Sequence, residues 1–98
     1  MSRNTNQNAA TTSEKKRNFM KEPMGEKDVT ALPAIGEISG EKLKAKGYGK
    51  AKNVYGVYLL PGTDKNKFVR TIVDKTGIRV QEAEKCYDAL EEYHTNHS

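Results

Sequence analysis

Proline and glycine break this chain so often that it can fold only as a set of short, separately packed segments. Glu22-Pro23, Leu32-Pro33, Gly47-Tyr48-Gly49, Pro61-Gly62 and Gly77 are the breaks. Proline removes a backbone donor and pushes the residue before it out of the helical region, whereas glycine accepts left-handed backbone that ends helices. Between the breaks no β-type alternation is sustained, and the apolar residues recur at helical spacing instead.

The first segment runs from about Ser13 to Lys21, with Ser13 as N-cap and Phe19 and Met20 as apolar anchors. A short helix follows over about Asp28 to Leu32, capped by Asp28. The segment from Glu37 to Lys46 turns Ile38 and Leu43 inward and Lys42, Lys44 and Lys46 outward, and it stops at Gly47. The stretch from Lys50 to Leu60 carries an apolar stripe of Ala51, Val54, Tyr55, Tyr58 and Leu59. Asp64 caps a further helix with Phe68, Val69, Ile72, Val73 and Thr76 on one side. The last runs from about Val80 to Tyr93 with Val80, Ala83, Cys86, Tyr87, Leu90 and Tyr93 inward. Connections of a few residues are those expected between packed helices. The pattern predicts an all-α fold, a compact bundle of about five to six short helices.

Domain organisation follows from where this pattern begins and ends. Residues 1–12, MSRNTNQNAATT, are polar and aperiodic and read as a disordered tail. Residues 13–94 form the helical domain, and residues 95–98 a frayed C-terminus. No apolar run approaches the roughly 20 residues that cross a bilayer, and the N-terminus has no secretory signal pattern. With Cys86 as the only cysteine, no intrachain disulfide can form, which favours a reducing compartment. His94 and His97 have no neighbouring ligand to complete a metal site, so no metal and no cofactor are expected.

Charge is sorted along the chain. Residues 37–75 hold nine lysines and arginines against four acids, whereas residues 76–98 hold two against five. A basic middle of this kind attracts polyanions by steering and by release of their counterions.

The segment from Leu32 to Leu43, LPAIGEISGEKL, gives that charge a geometry. It resembles a helix-hairpin-helix: a short helix, a tight turn of the form hydrophobic-Pro-small-hydrophobic-Gly, then a second helix. Pro33 forces the turn and Ile35 pins it to the core. Gly36 supplies a backbone conformation and a close approach that a β-carbon would obstruct. Gly40 lets the helices pack tightly. The turn leaves unpaired N–H groups at the start of the second helix, where a phosphate can settle against backbone without any base being read. Ala34 stands where the commoner form of this turn has glycine, and a positive φ there costs alanine on the order of 1 kcal/mol.

Over residues 13–93 the chain resembles the barrier-to-autointegration factor family. The resemblance is carried by Phe19, Glu22-Pro23-Met24-Gly25-Glu26-Lys27, Ile35-Gly36-Glu37, Gly40, Lys42-Leu43, Gly47, Lys50-Ala51, Gly56, Phe68, Gly77, Cys86 and Leu90, collinear and without a gap. It implies a SAM-like helical domain and a non-enzymatic homodimer that binds and bridges double-stranded DNA without sequence preference. The implied DNA contacts are Ser13, Lys15, Leu32, Ala34, Gly36, Ile38, Lys42, Val80 and Gln81. The implied dimer contacts are Gly56 and its neighbour Tyr55, and the implied phosphorylation positions are Thr11, Thr12 and Ser13. LEM-domain proteins of the inner nuclear membrane and lamins are the implied partners, with roles in chromatin organisation and nuclear envelope assembly. The implied location is the nucleus, with an additional cytoplasmic pool. Gln81 stands in place of a lysine and Thr30 in place of a glycine. A hydrophobic-Lys-Lys run is replaced by Leu59-Leu60-Pro61-Gly62-Thr63. Two alternatives stand beside this reading: a helical protein-interaction module, and the helix-hairpin-helix domain of a DNA enzyme.

Overall fold

The computed structural model describes residues 12–21 and 23–97. Thr11 and the rest of the expected tail up to it lie outside the described residues, as do Glu22 and Ser98. The described chain forms α1 (Thr12–Lys21), a 3₁₀ turn (Val29–Ala31), α2 (Glu37–Ala45), α3 (Ala51–Leu59), α4 (Lys65–Thr76) and α5 (Val80–His97). No strand occurs among the described residues; the one extended pairing is an isolated bridge between Asp28 and Lys50.

The helix ends follow the chemistry of their boundary residues. Asp28 accepts from the Thr30 N–H at 3.0 Å and starts the 3₁₀ turn; Asp64 accepts from the Lys67 N–H at 2.8 Å and starts α4. Gly47 (φ +90°) follows α2, and Gly77 (φ +76°) ends α4 in the left-handed region. The helix expected over Asp28 to Leu32 is a single 3₁₀ turn, too short to complete an α-type bond before Pro33.

Long α5 is the organising element. Helix α4 packs along it, α1 and α3 rest on it, and α2 packs on α4, with the 3₁₀ turn held between α2 and α3. Phe19, Leu32, Ile35, Leu43, Val54, Phe68, Ile72, Cys86 and Leu90 fill the space between these elements and are essentially solvent-free. Burying each larger apolar side chain contributes roughly 1.5–3 kcal/mol relative to leaving it exposed. The Cys86 thiol lies in this apolar interior, where burial pushes its pKa up to about 12.

Residues 23–27, the segment PMGEK, fasten α1 to the rest. Met24 is buried and its N–H donates to the Tyr93 hydroxyl at 2.7 Å, while Gly25 turns the chain with φ +50°. Glu26 then collects Lys50 and Lys52, and the Lys27 carbonyl accepts the Ala51 N–H at 2.9 Å.

Helical spacing misassigns three positions. Ile38, expected inward, is 76% exposed, because Ile35 in the preceding turn already fills the inward position. Val80 and Leu59 are 51% and 49% exposed; each stands at the end of its helix, beyond the reach of the core. On α3 the inward residue is Val57 rather than Leu59, so the buried stripe is Ala51, Val54 and Val57, with Tyr55 and Tyr58 half-buried beside it. Ser13 is not an N-cap, since α1 already includes Thr12. Helix α5 continues past Tyr93 to His97, whose ring stacks on Tyr93 at 4.2 Å and whose Nε2 lies 3.0 Å from the Met20 carbonyl. These contacts to α1 hold a turn that carries no apolar signal of its own.

Candidate functional site

The turn between the 3₁₀ element and α2 is built from buried side chains and an exposed backbone. Leu32, Pro33 and Ile35 are fully buried, so they anchor the turn and leave partly exposed Ala34 and exposed Gly36 to face outward. The Ile35 N–H donates to the Leu32 carbonyl at 3.2 Å, closing the turn. Ala34 occupies its crest with φ +75°, the one non-glycine residue with positive φ among the described residues. The strain expected at Ala34 is therefore present.

Gly36 is the N-cap of α2, and the special backbone conformation expected of it is not needed. Its backbone is extended (φ −93°, ψ −167°), a conformation open to any residue, and no protein atom lies within 4 Å of where a β-carbon would project. Intrachain sterics do not require glycine there. What glycine removes is the cap itself: α2 has no side-chain cap hydrogen bond, in contrast to the aspartate-capped 3₁₀ turn and α4. The first N–H groups of α2 thus stay available at the positive end of the helix dipole, with open space in front of them.

Gly40 behaves as expected. An added β-carbon would lie 2.7 Å from Thr30 Cγ2, so glycine is what lets α2 sit against the 3₁₀ turn. Thr30 in turn is held by its hydroxyl bond to Asp28 at 2.7 Å, and Lys44 pairs with the same carboxylate at 3.2 Å. Thr30 and Lys44 together hold the Asp28 carboxyl down at about 2.

One lysine reaches the turn and a second lies further along α2. From α1, Lys15 Nζ donates to the Ile35 carbonyl at 2.8 Å, half-buried, with burial lowering its pKa. From α2, Lys42 Nζ donates to the Thr76 carbonyl at 3.2 Å and remains exposed. The structure thereby gathers Lys15, Ala34, Gly36 and exposed Ile38 at one turn, whereas the Lys42 ammonium, further along α2, reaches the end of α4 instead. Leu32 belongs to this group only through its backbone. Val80 and Gln81 open α5 just after Gly77, a residue that Lys42 approaches; both are exposed. Ser13 lies in the first turn of α1. The tie between Lys15 and Ile35 spans 20 residues and has no signal in the sequence.

On α3, Gly56 is exposed and no protein atom meets an added β-carbon within 4 Å. Tyr55 beside it stacks on Tyr58 at 5.8 Å, and its hydroxyl lies 2.7 Å from His94 Nδ1.

A 3₁₀ element, a tight turn and an uncapped helix packed through Gly40 define a helix-hairpin-helix domain. The family pattern described as Barrier to autointegration factor matches residues 10–97, nearly the whole chain. Proteins named barrier-to-autointegration factor are similar to it: the Homo sapiens protein is 40% identical over 83 residues, covering 85% of this chain and 93% of its own length. The Danio rerio protein is 39% identical over 84 residues, covering 86% and 93%. Barrier-to-autointegration factor 1 of Caenorhabditis elegans is 37% identical over 82 residues, covering 84% and 92%. The chain belongs to the barrier-to-autointegration factor family, a family of non-enzymatic DNA-binding proteins.

Proposed function

We propose that this chain is a homodimer that binds double-stranded DNA through its phosphate backbone, without sequence preference, and bridges two duplexes. The observation that carries this reading is the uncapped start of α2 at Gly36, exposed and open in front, with Lys15 bonded to the turn and Lys42 exposed further along α2. Main-chain N–H groups and lysines contact phosphates, which carry no sequence information. Exposed Ile38 adds an apolar contact beside the turn.

Bridging needs two such turns in one particle. The open position at Gly56, with Tyr55 half-buried beside it, supports α3 as the face where a second copy approaches. In the cell this activity belongs to chromatin and to nuclear envelope assembly, with LEM-domain membrane proteins and lamins as partners, in the nucleus and in a cytoplasmic pool. Phosphorylation at Thr11, Thr12 or Ser13 releases DNA, since about −1.5 to −2 charges per phosphate beside Lys15, Lys16 and Arg17 oppose a DNA backbone.

The test is joining of two short duplexes by the purified protein, with light scattering for its mass. Gly36→Glu is expected to remain dimeric and lose DNA binding. Gly56→Glu is expected to become monomeric and lose joining while retaining binding to a single duplex. Monomeric wild type at micromolar concentration, or Gly36→Glu that binds as well as wild type, overturns the reading.

A further inference from the structure

Over much of the surface, lysines are matched to acids. Lys16 pairs with Glu92, Lys44 with Asp28, Lys50 and Lys52 with Glu26, Lys65 with Asp88, and Lys85 with Glu82. One side of α4 is different. Lys67, Arg70 and Lys75 line a groove of about 370 Å³ together with Tyr48, Leu60 and Thr63, and no carboxylate takes part in the lining. Lys67 and Arg70 are exposed, and the Lys75 ammonium lies over the Tyr48 ring at 4.8 Å instead of against an acid.

These cations are not an isolated patch. Lys46 of the α2 end donates to the Lys75 carbonyl at 3.2 Å, next to the bond from Lys42 to the Thr76 carbonyl. The last carbonyls of α4 thus receive two lysines from α2. A row runs from Lys42, on the second helix of the hairpin, through Lys46 and Lys75 and back along α4 to Arg70 and Lys67. On α4 alone, from Lys67 to Lys75, it spans about 12 Å at 1.5 Å per residue. Cations this close lie within about one Debye length of their neighbours at physiological salt, and although Asp74 lines the adjoining groove with Arg70, the row keeps a net positive charge that a polyanion lying across it would relieve.

We infer that this row is a second phosphate-binding surface on the same protomer, one that takes nucleic-acid backbone beyond the footprint of the hairpin. The inference rests on the DNA-binding reading above. An acidic polypeptide is the competing occupant. Continuity with Lys42 favours nucleic acid, because one phosphate chain can pass from the hairpin onto α4. The cations and the Thr63 hydroxyl suit phosphate oxygens, while Tyr48, Val57 and Leu60 supply the apolar part of the lining.

The experiment is fluorescence anisotropy across a salt series, using one duplex of about 10 base pairs and one of about 40. The variant is Lys67→Gln/Arg70→Gln/Lys75→Gln; Lys52→Gln/Lys65→Gln/Lys85→Gln serves as control. On the long duplex the first variant is expected to bind at least tenfold more weakly at low salt. Its slope of log affinity against log salt becomes shallower by about 2 to 3, near one for each phosphate that is no longer neutralised. The short duplex, filled by the hairpin, is expected to show little change, and the control none. Lys67→Gln/Arg70→Gln, which keeps Lys75 on Tyr48, is expected to give about two-thirds of the slope change with an unaltered thermal melt. An unchanged slope on the long duplex overturns the inference and leaves the hairpin reading intact. Poly-L-glutamate binding that disappears in the triple variant while the DNA slope stays put assigns the groove to an acidic polypeptide and equally overturns it. Wild type that binds neither duplex removes the underlying DNA reading as well.

Discussion

The Lys15 ammonium donates to the Ile35 carbonyl at 2.8 Å, tying the first helix to the hairpin turn across 20 residues of chain. The bond places a half-buried cation directly behind a turn whose outward face is Ala34 and Gly36. It ties the turn to α1 and brings positive charge next to it.

Lys15→Met keeps most of the stem and removes that bond. The Ile35 carbonyl loses its charged partner, for a stability loss of about 1 kcal/mol. In a domain of this size the melting temperature is expected to fall by about 4–8 °C. Duplex binding is expected to weaken as well, with the salt slope shallower by about 1. Calorimetry and anisotropy on the same preparation check both; an unchanged melt would show that the bond does not hold the turn.

Ala34 sits at φ +75°, which costs an L-residue with a β-carbon on the order of 1–2 kcal/mol. Ala34→Gly relieves this while adding chain entropy to the unfolded state. The net expectation is a gain of about 0.5–1 kcal/mol, read as a rise in urea midpoint at constant slope, with DNA binding retained.

Gly40 and Gly56 are both helical glycines in opposite surroundings. Alanine at position 40 would meet Thr30 Cγ2 at 2.7 Å, and Thr30 is held by Asp28, so it cannot easily yield. Gly40→Ala is expected to lose about 1 kcal/mol despite better helix propensity, and Thr30→Ser, which removes the methyl, is expected to restore much of it. Gly56→Ala meets no atom beyond its own stretch of helix, so intrinsic fold stability is expected to rise by about 0.5–1 kcal/mol. Any loss of dimer mass in Gly56→Ala then reports on the α3 face alone.

Asp28 gives the fold an acid limit. Its hydrogen bonds from Thr30 and its pairing with Lys44 hold its pKa at about 2, below the ordinary 3.8. A depressed carboxylate adds stability above its unfolded pKa, and that contribution disappears as pH falls from about 3.8 through about 2. Thermal melts over this range are expected to decline less steeply for Asp28→Asn than for wild type. Equal slopes would remove Asp28 from the acid response.

Much of this architecture is legible in the residues alone. The breaks at Pro23, Pro33, Gly47, Pro61 and Gly77 separate the elements correctly, because proline and glycine act on their own backbone and need no tertiary help. Asp28 and Asp64 are readable as caps for the same reason, since each bonds an N–H two or three residues away. Ile38, Leu59 and Val80 are not readable in this way, because spacing reports which side of a helix is apolar, not whether the core reaches that far along it.

The hairpin from Leu32 to Gly36 is written in the sequence, down to the strained Ala34, because a tight turn is a local solution to local constraints. Only the folded chain decides what surrounds it. Lys15 arrives from α1, and Lys42 and Lys46 fasten onto the end of α4, through contacts spanning 20 to 34 residues. Composition counts the cations of residues 37–75. Folding alone determines which of them meet a carboxylate and which, along α4, line a groove without one.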